Sequence, residues 1–256
     1  LTRIRIGEFI NPAGEIKPSQ ADLVNLKYQI VSSEEKEYIN ARAKFGFEKL
    51  EVNHIAYGPM RLDLSFNHLH GPSLRKLEQA FADIQVEGVE PDKLRQQYVD
   101  VAMREGAPIL ENNPRMAIND FSLKLPSGEV TLTGNVALNG IQRADFNSTR
   151  TFLNKLTANA KLSIPRDTLQ GLVVAQARNL FSVDATAENP PSMQEIDELA
   201  KNLFASQMDI WAEQGYLEQI SGQVKTSAEW KDGRLLINGH LINLPEAAPA
   251  QAASAP

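Results

Sequence analysis

Residues 115–138 read RMAINDFSLKLPSGEVTLTGNVAL, and this stretch decides the fold class. Apolar and polar residues alternate on both sides of the turn signal Pro126-Ser127-Gly128, which predicts an antiparallel β-hairpin with one buried face. The alternation shifts by one position at Asn119-Asp120, where we predict a β-bulge.

The same alternation recurs on both sides of this hairpin. It predicts further strands over residues 4–6, 24–30, 39–47, 60–66, 156–164, 224–230 and 235–241. After Phe47 the apolar phase slips to Leu50 and Val52, which predicts a second bulge. Asp232-Gly233 predicts the turn of the last hairpin, with a positive φ at Gly233.

Helical spacing of apolar residues appears between the sheet segments. It predicts helices over residues 73–86, 91–111, 166–182 and 193–214. Ser192 followed by Glu195 has the pattern of a capping box at the start of the last helix. The core stripe predicted for that helix consists of Ile196, Leu199, Leu203, Phe204, Met208 and Trp211.

This order of elements predicts an α+β fold. We expect an antiparallel, twisted or curved sheet built from hairpins and meanders, with amphipathic helices packed on one face. Residues 1–70 are predicted as a mainly antiparallel sheet module and residues 71–244 as an α+β module, with a polar linker over 184–191. Nine of the twelve residues 245–256 are Ala or Pro, and we predict a disordered tail there.

Composition excludes several classes of protein. The 256 residues carry 26 Lys+Arg against 32 Asp+Glu, a net charge of −6, so we expect no nucleic-acid partner. No apolar run approaches the about 20 residues of a membrane span, and without cysteine there is no disulfide. The chain opens Leu1-Thr2-Arg3, and we expect it to be a processed chain or a fragment that continues N-terminally in the full protein.

The histidines are the main metal-ligand candidates. His68 and His70 would point to one face of a strand, with His54 on a neighbouring strand, while His240 stands apart. Because no Cys or suitably spaced carboxylate completes the set, we predict solvated strand-end residues, no metal site and no cofactor. No nucleophile elbow or phosphate-binding glycine motif occurs, so we expect no enzyme; a hydrolase with an unrecognised site is the third alternative for function.

The aromatic residues have two interpretations. Tyr28, Phe45, Phe47, Phe66, Trp211 and Trp230 either belong to a core beneath helices or line an apolar groove. The first sheet segment contains no helix that could cover its apolar face, which we predict from Leu26, Tyr28, Phe45, Phe47, Leu62, Leu64 and Phe66. We expect the cover to come from the chain's own helices, then from a second subunit, then from lipid.

Several segments resemble the YdgA family of bacterial envelope proteins. They read GPMRL (58–62), LENNPRM (110–116), FSLKLPSGEV (121–130), QGYL (214–217) and DGRLLING (232–239). The resemblance implies an N-terminal membrane anchor, a long periplasmic region and self-association. We therefore expect a non-catalytic periplasmic binding or assembly module of an inner-membrane-anchored envelope protein, with a homodimer, an envelope protein or lipid as partner. The alternative is a carrier of an apolar ligand such as a lipid chain in a groove of the sheet.

Overall fold

The computed structural model of the chain describes residues 9–10, 16–17, 21–84, 88–182 and 192–243. The predicted strand over 4–6, the linker over 184–191 and the tail over 245–256 lie outside the described residues.

The described residues form strands and helices in an α+β order. The strands are β1 (Phe9–Ile10), β2 (Ile16–Lys17), β3 (Ala21–Val24), β4 (Lys27–Glu35), β5 (Tyr38–Phe47), β6 (Lys49–Val52), β7 (Ile55–Tyr57), β8 (Met60–His70), β9 (Arg115–Leu125), β10 (Gly128–Leu138), β11 (Leu156–Pro165), β12 (Glu218–Ile220), β13 (Gln223–Lys231), β14 (Arg234–Ile237) and β15 (His240–Ile242). The helices are α1 (Gly71–Ala82), α2 (Pro91–Glu111), a 3₁₀ helix (Arg143–Asn147), α3 (Thr149–Asn154), α4 (Arg166–Ser182) and α5 (Met193–Glu213).

One antiparallel sheet of ten strands organises the molecule. Its order is β15-β14-β13-β11-β10-β9-β8-β5-β4, and β12 pairs with β13 outside this path. Two smaller antiparallel sheets are separate from it, one of strand order β1-β2 and one of strand order β3-β6-β7. The predicted α+β class is therefore confirmed, with 44% strand and 38% helix among the described residues.

The large sheet continues across residue 70, where the sequence suggested a change of module. β8 pairs with β9 over Met60–Asn67, so strands from both predicted modules share one hydrogen-bonded ladder. A row of directly paired side chains crosses the sheet on one face: Tyr28, Phe45, Leu62, Phe121, Leu132, Leu162 and Thr226. Because direct partners share a face, the predicted alternation yields one almost continuous apolar surface.

The phase slip after Phe47 marks the point where the chain passes from one sheet to another. The prediction of a β-bulge at that position is wrong. β5 ends in the large sheet at Phe47, and β6 begins at Lys49 in the small sheet. The strand predicted over 24–30 divides at the same place, because Asn25 adopts a φ of 54° between β3 and β4. Glu48 N donates to Val24 O at 3.1 Å, and Asn25 Nδ2 donates to Glu48 Oε2 at 2.6 Å. These hydrogen bonds join the link between β3 and β4 to the link between β5 and β6.

The bulge predicted in β9 is confirmed. Phe121 pairs with Leu132 and Ile118 with Gly134, so Asn119 and Asp120 lie opposite a single residue of β10. A bulge that the sequence did not predict lies in β8 at Asn67-His68, opposite Asn40 of β5. There His68 has a φ of 60°, and its backbone N–H donates to Asn40 Oδ1 at 3.0 Å.

The helices follow the predicted spans with one shift. α1 begins at Gly71 instead of residue 73, because Gly71-Pro72 already form its first turn and Gly71 N donates to Glu37 O at 2.8 Å. It ends at Ala82, four residues before the predicted end. Sequence analysis did not predict the 3₁₀ helix or α3, which are too short to show an apolar period.

Candidate functional site: an apolar cleft between two helices and the sheet

Helices α4 and α5 pack over the C-terminal strands of the large sheet and form the main buried core. Phe204 and Met208 of α5 contact Leu217 and Val224, and Ile164 of β11 packs against them. The capping box predicted at the start of α5 is present: Ser192 Oγ accepts from Glu195 N at 3.2 Å, and Ser192 N donates to Glu195 Oε2 at 2.8 Å. The hydrogen bonds from Ser192 lower the pKa of Glu195.

Beside this core the two helices leave an open apolar cleft with a volume of about 760 Å³. Its helical wall includes Leu169 and Val173 of α4 and Leu203, Met208 and Trp211 of α5. The strands supply the floor, with Ile164, Val224, Leu235, Ile237 and Ile242 among its residues. The cleft therefore lies over a part of the apolar sheet face that α4 and α5 flank but do not cover.

The described residues that line this cleft include no charged side chain. Its polar members are Gln207, Tyr216 and Thr226. Thr226 Oγ1 donates to Tyr216 O at 2.9 Å, so Gln207, the Tyr216 hydroxyl and the indole N–H of Trp211 are the groups best placed to meet a polar atom of a ligand. An apolar lining with a few polar groups and a volume between about 300 and 1,000 Å³ is typical of small-molecule sites.

The predicted core stripe of α5 is partly wrong. Ile196, Phe204 and Met208 are buried as expected, together with Ala200, because they repeat every four residues. Leu199, Leu203 and Trp211 are exposed. The sequence signal for the cleft was therefore present: α5 carries more apolar residues than one packed stripe needs.

The predicted aromatic groove does not assemble as a single site. Trp211 lines the apolar cleft. Trp230 instead donates a hydrogen bond from Nε1 to Leu153 O at 2.8 Å. This bond links β13 of the sheet to α3. Tyr28 and Phe45 pair directly near the opposite edge of the sheet, where Tyr28 is 74% exposed.

Of the four histidines, only His68 and His70 lie together: both rings are against Tyr38, with the His70 ring centroid 5.8 Å from that of Tyr38. The ring of His68 stacks on Tyr38 at 3.8 Å, and its Nδ1 lies 2.7 Å from Asn112 O. His70 Nδ1 lies 2.7 Å from Ser73 Oγ. His54 lies in the turn of the small sheet beside Glu51, and His240 is exposed on β15. Across the described ranges no three His, Cys, Asp or Glu side chains lie close enough to hold a metal ion.

Comparison with known proteins places this chain in a family. The family model for DUF945, bacterial proteins of unknown function, matches residues 8–245. The chain therefore belongs to that family. The search of curated proteins and the search of solved structures each found no match. Among the described residues, none of the helices has both the length and the hydropathy needed to span a bilayer.

Proposed function

We propose that this chain is a non-catalytic binding module of the bacterial envelope and that the apolar cleft holds the acyl chain of a lipid. The cleft carries this proposal, because its lining combines a large apolar surface with no charged side chain among the described residues. Burying an acyl chain is favourable by about 0.8 kcal/mol per CH₂ group. A charged headgroup would lose hydration inside such a lining, so it belongs outside.

The envelope location rests on the resemblance of residues 110–130 and 214–239 to YdgA proteins, and we propose membership of that group within the wider family. In this arrangement an N-terminal anchor holds the full protein in the inner membrane, and the present residues face the periplasm. Protease treatment of spheroplasts that express the full protein tests the orientation. Degradation of this part before the cells are lysed supports the periplasm, and protection until lysis contradicts it.

Two exposed leucines provide a matched test of the cleft. Leu203 lines it and is 62% exposed, whereas Leu172 of α4 is 61% exposed and lies outside the lining. We expect the uncharged fluorescent probe N-phenyl-1-naphthylamine to bind the wild-type chain. Leu203→Glu should weaken this binding by about tenfold or more, because the carboxylate would have to lose water beside the ligand. Leu172→Glu should leave it unchanged. Equal binding by all three proteins would contradict the proposal.

Self-association through β4 is the second candidate function. β4 is the terminal strand of the large sheet, and each of its residues is exposed. Antiparallel pairing of β4 with β4 of a second copy, centred on Val31, would place Lys27 opposite Glu35 at both ends. Opposite charges at paired positions stabilise a sheet, and pairing would satisfy the open backbone groups of the edge.

Light scattering at micromolar concentration tests this second candidate. The wild-type chain should be a dimer, and Ile30→Lys should be monomeric because a lysine on an edge strand opposes pairing. Ile30 is 66% exposed. The control is Ile55→Lys in β7 of the small sheet, which should remain a dimer. A monomeric wild-type chain, or a dimer that persists in Ile30→Lys, would exclude pairing through β4.

A further inference from the structure

A second pocket lies between α2 and the segment that contains the 3₁₀ helix and α3. It has a volume of about 610 Å³ and shares no lining residue with the apolar cleft. Met103, Gly106 and Leu110 form its wall on α2. Phe146 and Phe152, whose ring centroids are 5.8 Å apart, form the facing wall. These walls offer a single hydrocarbon chain an apolar surface on two sides.

The second pocket differs from the apolar cleft in its charge. Arg143 is the one charged side chain among the described residues that line it, and it forms no ion pair with another described residue. The nearest acid along the chain, Asp145, is already engaged: Lys155 Nζ lies 2.6 Å from its Oδ2, and Gln142 N donates to the same oxygen at 2.7 Å. The hydrogen bond from Lys155 lowers the pKa of Asp145, which keeps this acid ionised and bound to lysine.

We propose that this second pocket binds a single-chain amphiphile with an anionic headgroup. The hydrocarbon chain lies between α2 and the two phenylalanines, and the headgroup pairs with the guanidinium of Arg143. Carboxylates and phosphates share this chemistry, because each presents two oxygens to the planar donor fork of arginine. The site is independent of the apolar cleft, where no charged lining residue is available to select a headgroup.

Calorimetric titration with three probes of equal chain length, below their micellar concentrations, tests the role of charge. The probes are dodecanoate, dodecyl phosphate and uncharged dodecanol. Arg143→Gln should weaken binding of at least one anion by about tenfold, as expected for loss of a charged hydrogen bond, and leave dodecanol unchanged. The anion that loses more affinity identifies the headgroup as carboxylate or phosphate. Arg150→Gln, an exposed arginine of α3 outside the lining, is the control. Unchanged affinity for both anions in Arg143→Gln would overturn the proposal.

A second variant tests the pocket itself. A Cβ atom added at Gly106 would meet no atom within 4 Å, so Gly106→Leu extends a side chain into open space. Leucine also favours a helix over glycine, so this variant should fold. It should reduce binding of the preferred anion by at least about tenfold. Gly171→Leu in α4 is the matched control, because Gly171 is equally open and lines neither pocket.

The two sites are distinguished by their probes and variants. Gly106→Leu should still bind N-phenyl-1-naphthylamine as the wild type does, and Leu203→Glu should still bind the anionic amphiphile. If Gly106→Leu binds the anion with wild-type affinity, the second pocket is not the site, whatever the result at the apolar cleft.

Discussion

At the scale of single residues, Asp63 joins three strands on the polar face of the large sheet. Its carboxylate accepts from Arg42 Nε at 2.8 Å and Arg42 Nη2 at 2.6 Å, and from Asn119 Nδ2 at 3.2 Å. Asn119 is part of the bulge in β9, so this irregularity supplies a donor that a regular strand would not place there. The two hydrogen bonds from Arg42, with a smaller effect of the one from Asn119, lower the pKa of Asp63 from 3.8 to about 2.

This lowered pKa predicts acid sensitivity. The folded chain favours the ionised carboxylate more than the unfolded chain does, so the interaction stabilises the fold above pH about 4 and is lost as the pH falls towards 2. The melting temperature of Asp63→Asn should therefore decrease less between pH 5 and pH 2.5 than that of the wild type. Asp120→Asn, at the directly paired position, is the control and should follow the wild type. Parallel curves for Asp63→Asn and the wild type would contradict the assignment.

The turn at Asp232-Gly233 gives a second residue-scale prediction. Asp232 and Gly233 have φ values of 52° and 71°, which confirms the predicted positive φ and corresponds to a type I′ turn. A Cβ atom at Gly233 would also collide with Asn154 Oδ1. Gly233→Val should therefore lower the free energy of unfolding by about 2 kcal/mol or more.

Gly239→Val separates backbone strain from collision. Gly239 has a φ of 82° and no atom within 4 Å of an added Cβ, so valine there adds backbone strain alone. Urea denaturation of both variants measures the difference, and Gly233→Val should be the less stable. A Gly233→Val variant no less stable than Gly239→Val would show that the contact with Asn154 does not matter.

The histidines show what sequence reasoning could not reach at this scale. Alternation placed His68 and His70 at the end of a strand, where β8 indeed ends. Both rings lie against Tyr38 on β5, and His68 also contacts Asn112 at the end of α2, which lies 44 residues beyond His68. Only the tertiary fold brings these residues together, so local spacing could not predict the contacts. The absence of a zinc site remains a prediction.

At the scale of elements, residue periods predicted most strands and the long helices, but the strand predicted over 235–241 divides into β14 and β15 at Asn238-Gly239, where both φ values are positive. Helices α2 and α4 have the predicted bounds, and the hairpin β9-β10 has its predicted bulge. The error after Phe47 has a general cause. A phase slip shows only that the buried face changes, and a bulge within one sheet or a crossing into another sheet produces the same slip.

The capping box of α5 gives the prediction at this scale. Ser192→Ala removes the side-chain acceptor for Glu195 N, so it should lower the free energy of unfolding by about 1 kcal/mol. Ser206→Ala, at an exposed position of the same helix, should cost nothing because alanine is the better helix former. Thermal denaturation of both variants measures this. Equal melting temperatures would mean that the start of α5 frays without cost.

At the scale of the whole molecule, the main question is how the apolar face of the sheet is covered. The sequence ranked the chain's own helices first as the cover of the face within residues 1–70, whereas α4 and α5 pack over β11 and β13, towards the other end of the same sheet. The predicted members Tyr28, Phe45 and Leu62 share one row of that face, whereas Leu26 lies in the link before β4. Tyr28 and Ile30 remain exposed at the far edge. Periodicity identified the face but could not show which part the helices reach, since helix placement depends on contacts distant in sequence.

The central claim is that the apolar cleft over the C-terminal strands of the large sheet holds a lipid. The natural occupant of this cleft can be identified directly. The chain would be purified from bacterial cells without detergent, denatured in organic solvent, and the extract analysed by mass spectrometry for acyl chains. We expect the wild-type chain and Leu172→Glu to carry about one acyl-chain lipid more than Leu203→Glu, which should keep only the amphiphile of the second pocket. Extracts without acyl chains, or with equal amounts from Leu203→Glu and the wild type, would contradict the claim that the apolar cleft holds a lipid.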